Sequence, residues 1–94
     1  MAKKRTAKRA RAAKSLSPGC KVLAGGIKKT EQDIVATKKS ISAQERFIQQ
    51  LVNAGAKPAL VAQARQRLTT LNQTLEDDEG QLQAFKDEFA ADCH

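Results

Sequence analysis

Two cysteines and one histidine are the residues of this chain whose side chains could carry redox or metal chemistry. Cys20 lies far from Cys93 and His94, which are the last two residues. A zinc site draws its ligands from short, regular spacings, and these three residues show none, so we predict no metal site. We expect His94 to be a frayed terminus, not a general base.

No arrangement of residues typical of catalysis accompanies them. Catalysis needs a nucleophile beside a base, or paired carboxylates in a cleft, and the single histidine is terminal. With 94 residues and three aromatics, the chain has little bulk for a pocketed core. The acidic run 76–79 lacks the spaced oxygen ligands and the glycine of a calcium loop. We therefore predict a protein that is not an enzyme and has no cofactor.

The side chains of the N-terminal segment carry a charge of +7, which equals the net charge of the whole chain. Residues 1–16 carry no acidic residue and a single large aliphatic residue after the initial methionine, Leu16, so they cannot bury enough surface to fold alone. We expect a disordered basic arm that binds a polyanion, and nucleic acid is the commonest one. Its candidate nucleic-acid-binding residues are Lys3, Lys4, Arg5, Lys8, Arg9, Arg11 and Lys14.

The arm predicts contacts with phosphates and not with bases, because it contains no aromatic side chain that could stack on them. Three alternatives require the same charges: a nuclear import signal, an organelle transit peptide, or attachment to an anionic membrane. The density of lysine and the lack of an apolar face count against the transit peptide. The lack of bulky apolar anchors counts against the membrane.

Two apolar runs, each with spacings of three and four, follow the arm. This spacing predicts two helices that pack antiparallel in one register, as an all-α coiled-coil hairpin. The first run is Cys20, Leu23, Ile27, Thr30, Ile34, Thr37, Ile41, Gln44, Ile48 and Leu51. The second run is Val61, Ala64, Leu68, Leu71, Leu75, Asp78, Leu82, Phe85, Phe89 and Asp92. We call these twenty positions the seam.

Capping and turn residues set the predicted bounds of the hairpin, residues 17–94. Ser17 and Pro18 predict the start of helix one, over about 18–53. The glycine pair 25–26 predicts a weak point in it, since two such glycines cost about 2 kcal/mol relative to alanine. Gly55 and Pro58 predict a turn over 54–57 and a second helix over about 58–90.

Two features of the hairpin concern charge. An antiparallel pairing places Lys28 and Lys29 alongside the acidic second half of helix two, which favours this pairing over a parallel one. The same register sets Asp78 opposite Ile34, where its burial would be costly unless the carboxylate turns out to water. We interpret Asp78 as a solvated or register-setting residue.

The register also places the two cysteines close together. Cys20 lies opposite Asp92, so a disulfide between Cys20 and Cys93 is geometrically feasible and would stabilise the hairpin by about 4 kcal/mol. The alternative is a pair of reduced thiols, which is favoured by the absence of a secretory signal. No apolar stretch is long enough to span a membrane. We expect an intracellular protein, cytoplasmic or associated with a nucleoid or nucleus, and not conventionally secreted.

Three apolar residues at the hairpin tip exceed what a two-helix seam needs: Phe47, Val52 and Leu60. They predict either a closed tip or a protein interface. Because a thin hairpin buries little surface, we also expect two copies to associate as a four-helix bundle. Two functions follow: a small helical protein that binds nucleic acid through its arm, or a structural or adaptor protein whose tip docks a partner while its arm serves targeting or an acidic surface.

Overall fold

The computed structural model describes residues 17–93, which form two helices joined by a tight turn. Helix α1 spans Pro18–Asn53 and helix α2 spans Pro58–Asp92, and this range contains no strand. At 1.5 Å per residue, each helix is about 50 Å long. The predicted all-α helical hairpin is confirmed, whereas its association into a four-helix bundle stays a prediction.

The ends of the helices are set by the residues that the sequence marked. The Ser17 hydroxyl accepts a hydrogen bond from the backbone N–H of Cys20 at 3.2 Å, and Pro18 occupies the first turn of α1. Gly55 adopts a positive φ of 69° in the turn, a conformation that costs other residues about 1–2 kcal/mol. Pro58 opens α2, which continues to Asp92, two residues beyond the expected end.

The contacts between the helices follow the antiparallel seam. Ile34 and Ala64 are its most buried apolar residues, at 8% and 6% exposure. Near the tip, the Gln44 side-chain amide donates a hydrogen bond across the seam to the backbone carbonyl of Ala64 at 3.0 Å. Near the open end, the buried Thr30 hydroxyl donates to the Gly26 carbonyl of its own helix at 2.8 Å. Gln44 and Thr30 are thus accommodated in the seam by bonds to backbone carbonyls.

Asp78 is a charged seam position without such a bond. It is half-buried, and no side-chain hydrogen bond or ion pair to it occurs between residues 17 and 93. Its neighbour across the seam by register, Ile34, is among the most buried residues. Partial exposure keeps the carboxylate in reach of water, which avoids the full cost of burying a charge.

Helix α1 runs through both glycines of its expected weak point. Gly25 is exposed, and a Cβ atom built there would meet nothing within 4 Å. Gly26 faces the second helix, where a Cβ atom would lie 3.4 Å from the ring of Phe85. Gly26 therefore lets α2 bring an aromatic ring close to the backbone of α1, a packing role that helix propensity alone does not indicate.

The two glycines should respond differently to substitution. Gly25→Ala is expected to raise the free energy of unfolding by about 0.5–1 kcal/mol, because it removes a helix penalty at an exposed site. Gly26→Leu is expected to lower it by about 1–3 kcal/mol, because the longer side chain must displace the Phe85 ring. Urea denaturation followed by circular dichroism measures both. Equal effects at the two positions would contradict the packing role of Gly26.

Within residues 17–93, Lys28 and Lys29 make no ion pair with α2. The Lys29 ammonium instead lies 3.4 Å from the carboxylate of Asp33, one turn along its own helix. The pair that joins the helices is Lys86 with Glu31, at 3.8 Å. Both pairs are exposed, so each contributes at most about 1 kcal/mol. Lys28 and Lys29 lie on the outer surface of α1, whereas Glu31 lies beside the seam, so only Glu31 reaches a charged residue of α2.

Candidate functional site

The arm residues that the sequence singled out lie outside the described residues. These are Lys3, Lys4, Arg5, Lys8, Arg9, Arg11 and Lys14. The structure shows where the arm joins the hairpin: residue 17 caps α1 at the open end, beside the chain's other terminus. The arm with its seven charges is therefore attached at the end of the hairpin opposite the turn.

The hairpin itself has no net charge. Residues 17–93 contain ten basic and ten acidic residues, so the excess of +7 equals the charge of the arm. A polyanion would thus meet a neutral scaffold with one strongly basic extension. The excess positive charge of the chain therefore lies within residues 1–16.

A disulfide closes the open end. Cys20 and Cys93 are bonded, with Cα atoms 5.9 Å apart and a sequence separation of 73. Of the two alternatives for these cysteines, the structure contains the disulfide and not the pair of thiols. Cys20 is buried at 9% exposure, and Cys93 is half-buried at the end of α2. The bond joins the first turn of α1 to the residue that follows α2.

The apolar residues at the tip do not form a closed cap. Phe47, Val52 and Leu60 are 48%, 47% and 50% exposed. Phe47 and Leu60 line an open groove of about 410 Å³ that runs between the helices. Its other lining residues are Gln44, Leu51, Gln63, Ala64 and Arg67. The groove combines these apolar side chains with a single charged residue, Arg67.

Val52 does not belong to that groove. It lies five positions after Phe47, which turns it about 140° around α1. The three tip residues therefore lie on two sides of the hairpin: Phe47 and Leu60 on one, which we call the groove side, and Val52 on the other. The predicted single interface of Phe47, Val52 and Leu60 is therefore divided between two sides of the hairpin.

A basic cluster on the outer surface of α1 was missed. Val35 and Ser42 lie there with three basic residues, Lys38, Lys39 and Arg46. Their spacing of three, four and seven places them on one helix face, and this pattern could have been read from the sequence. The cluster is a second candidate for contact with phosphates, about midway along α1 and towards the tip.

Three further observations bear on the kind of site. Among residues 17–93, no three His, Cys, Asp or Glu side chains are grouped closely enough to hold a metal ion. His94 lies outside the described residues. Neither α1 nor α2 is both long and apolar enough to cross a membrane.

Comparison with known proteins identifies no relative. No protein-family description, curated protein or solved structure matches the chain. Inferences about function therefore rest on the charges, the groove and the disulfide of the chain itself.

Proposed function

We propose that this protein is a small, non-catalytic nucleic-acid-binding protein whose basic arm contacts phosphates and whose hairpin is the scaffold. The observation that carries the proposal is the division of charge: seven basic residues without an acidic one in residues 1–16, and a net charge of zero over residues 17–93. Such an arm binds by releasing counterions from the nucleic acid, so binding tolerates sequence and weakens with salt.

The scaffold is proposed to dimerise and so present two arms. The half-exposed Phe47 and Leu60 support this step, because a helical hairpin of this thickness leaves apolar surface for another molecule to cover. Two linked arms on one nucleic acid would raise the overall affinity without new contacts. The proposed sites of action are the cytoplasm and a nucleoid or nucleus, where nucleic acid is available. In these compartments the Cys20–Cys93 disulfide has to resist reductants that keep most protein thiols reduced.

Size-exclusion chromatography with light scattering and absorbance at 260 and 280 nm tests both steps on the purified full chain. At low salt, without nuclease treatment, we expect nucleic acid to co-elute with the protein. High salt should remove it and leave a particle with the mass of a dimer. A nucleic-acid-free protein at low salt would contradict the proposed function.

The groove supports a second candidate function. In this alternative, the protein is a structural or adaptor component whose tip docks a protein partner through Phe47 and Leu60. The arm would then serve targeting or would contact an acidic protein surface. This alternative is preferred if the low-salt experiment yields a monomer without nucleic acid, because the groove would remain uncovered.

A further inference from the structure

Charge is distributed unequally along the length of the hairpin. The tip half, residues 35–75, has six basic residues and one acidic residue, a net charge of +5. The open-end half, residues 17–34 and 76–93, has four basic and nine acidic residues, a net charge of −5. The hairpin is therefore a rod with one positive and one negative end. Two such rods attract each other side by side only when they point in opposite directions.

The groove side repeats this polarity in individual residues. Positions seven apart lie on one side of a coiled coil, so the line of α2 that starts at Leu60 continues along this side. Its later members are Arg67, Thr74, Gln81 and Glu88. Arg67 borders the groove near the tip, and Glu88 lies near the open end. About 31 Å of helix separates them.

Helix α1 places an exposed apolar residue at each end of the same side. Phe47 begins a line of α1 that runs back in steps of seven to Gly26, and Val22 lies one turn before Gly26. Val22 is 77% exposed and Phe47 is 48% exposed. Val22 is thus an exposed apolar residue on the groove side at the open end, as Phe47 is at the tip, and it is not part of the seam.

We propose that a second copy of this chain packs on the groove side in antiparallel orientation, about a two-fold axis perpendicular to the helices. In this arrangement, Arg67 of each copy faces the partner's Glu88, and Phe47 faces the partner's Val22. Both pairs form when the two-fold axis crosses the hairpin at one height, close to its middle. A parallel arrangement would instead place the two +5 tips together.

Carboxylates repel each other in the central part of this interface. Asp33 and Asp77 lie near the proposed two-fold axis, where each approaches its own copy. Lys29 lies 3.4 Å from the Asp33 carboxylate and offsets its charge. Asp77 is exposed in the single hairpin, so in the dimer its repulsion is screened only where water still reaches its carboxylate. The apolar contacts and the Arg67–Glu88 pairs at both ends oppose this cost.

The antiparallel dimer has a consequence for nucleic-acid binding. Each arm leaves its hairpin at residue 17, so the two arms begin at opposite ends of the bundle, about 50 Å apart. That separation corresponds to about 15 base pairs of duplex at 3.4 Å per base pair. The inference refines the self-association proposed above, and it does not depend on whether the arm binds nucleic acid.

Two matched tip variants test which side is the interface. Phe47→Glu is expected to raise the dimer dissociation constant at least about tenfold, because it buries a charge against the partner's Val22. Val52→Glu, at an equally exposed position on the other side, should leave the constant unchanged. Light scattering of nuclease-treated protein measures both, and circular dichroism verifies that each variant stays helical. A larger effect at Val52 would overturn the choice of side.

A charge exchange covers the case in which Phe47→Glu fails to fold. Arg67→Glu should weaken the dimer, and the double variant Arg67→Glu, Glu88→Arg should restore it, since the pair is re-formed with opposite signs. Failure of the double variant to restore the dimer would overturn the Arg67–Glu88 pairing.

Spin labels test the orientation, with the native disulfide kept intact. A label at Ala36→Cys lies near the two-fold axis, so pulsed electron paramagnetic resonance should give a short distance between copies, below about 20 Å. A label at Gln50→Cys, on the same side at the tip, should give a distance of about 45 Å. Short distances at both positions would show a parallel dimer. A monomeric wild-type protein would overturn the inference and leave the groove for a different protein partner.

Discussion

Duplex DNA at low salt is expected to bind at least about 100-fold more weakly when the seven basic residues of the arm are replaced by glutamine. Each phosphate contact releases counterions, and the arm holds the excess charge of the chain, so removing it leaves a neutral hairpin. The replaced residues are Lys3, Lys4, Arg5, Lys8, Arg9, Arg11 and Lys14. Fluorescence anisotropy of a labelled duplex measures the dissociation constant.

The basic cluster on α1 provides the matched control. Replacing Lys38, Lys39 and Arg46 by glutamine removes structured charges that also lie together. If the arm carries the binding, this variant should keep its affinity to within about tenfold. The reverse ranking, with the α1 variant losing binding and the arm variant keeping it, would transfer the nucleic-acid site from the arm to the hairpin.

Reduction of the Cys20–Cys93 disulfide is expected to lower the free energy of unfolding by about 2–4 kcal/mol. The bond closes a loop of 73 residues at the open end, and cross-links over loops of this length restrict the unfolded chain strongly. The loss should begin at the open end, because the turn still joins the helices at the other. Urea denaturation with and without reductant, followed by circular dichroism, gives the difference.

The double variant Cys20→Ser, Cys93→Ser separates the bond from side effects of the reductant. Its urea midpoint should match that of the reduced protein and should not respond to reductant. An oxidised and a reduced protein with the same midpoint would show that the disulfide does not contribute to stability.

The seam spacing predicted the fold because it constrains every turn of both helices at once. Twenty positions in one register leave few alternative pairings, and the turn residues Gly55 and Pro58 mark where the chain reverses. Packing details beside the seam were less accessible. The contact between Gly26 and the Phe85 ring depends on how closely the helices approach, whereas helix propensity registers only the cost of the glycine.

Interactions that depend on rotation about the helix axis were also mispredicted or left open. Lys28 and Lys29 lie at the same height along the hairpin as the acidic half of α2. Their positions on the outer surface of α1 keep them from pairing with it. Phe47 and Val52 are close in sequence yet lie on different sides of α1. The sequence also placed Cys20 beside Cys93 without deciding their oxidation, since oxidation depends on the chemical surroundings as well as on proximity.

The salt dependence of duplex DNA binding by the full chain tests the central claim most directly. If the arm binds phosphates, a plot of log affinity against log salt concentration should be linear, with a slope between about −4 and −6 per chain. The variant with seven glutamines in the arm should show a slope near zero. A slope near zero for the full chain, or the same slope for both proteins, would contradict the assignment of nucleic-acid binding to the arm.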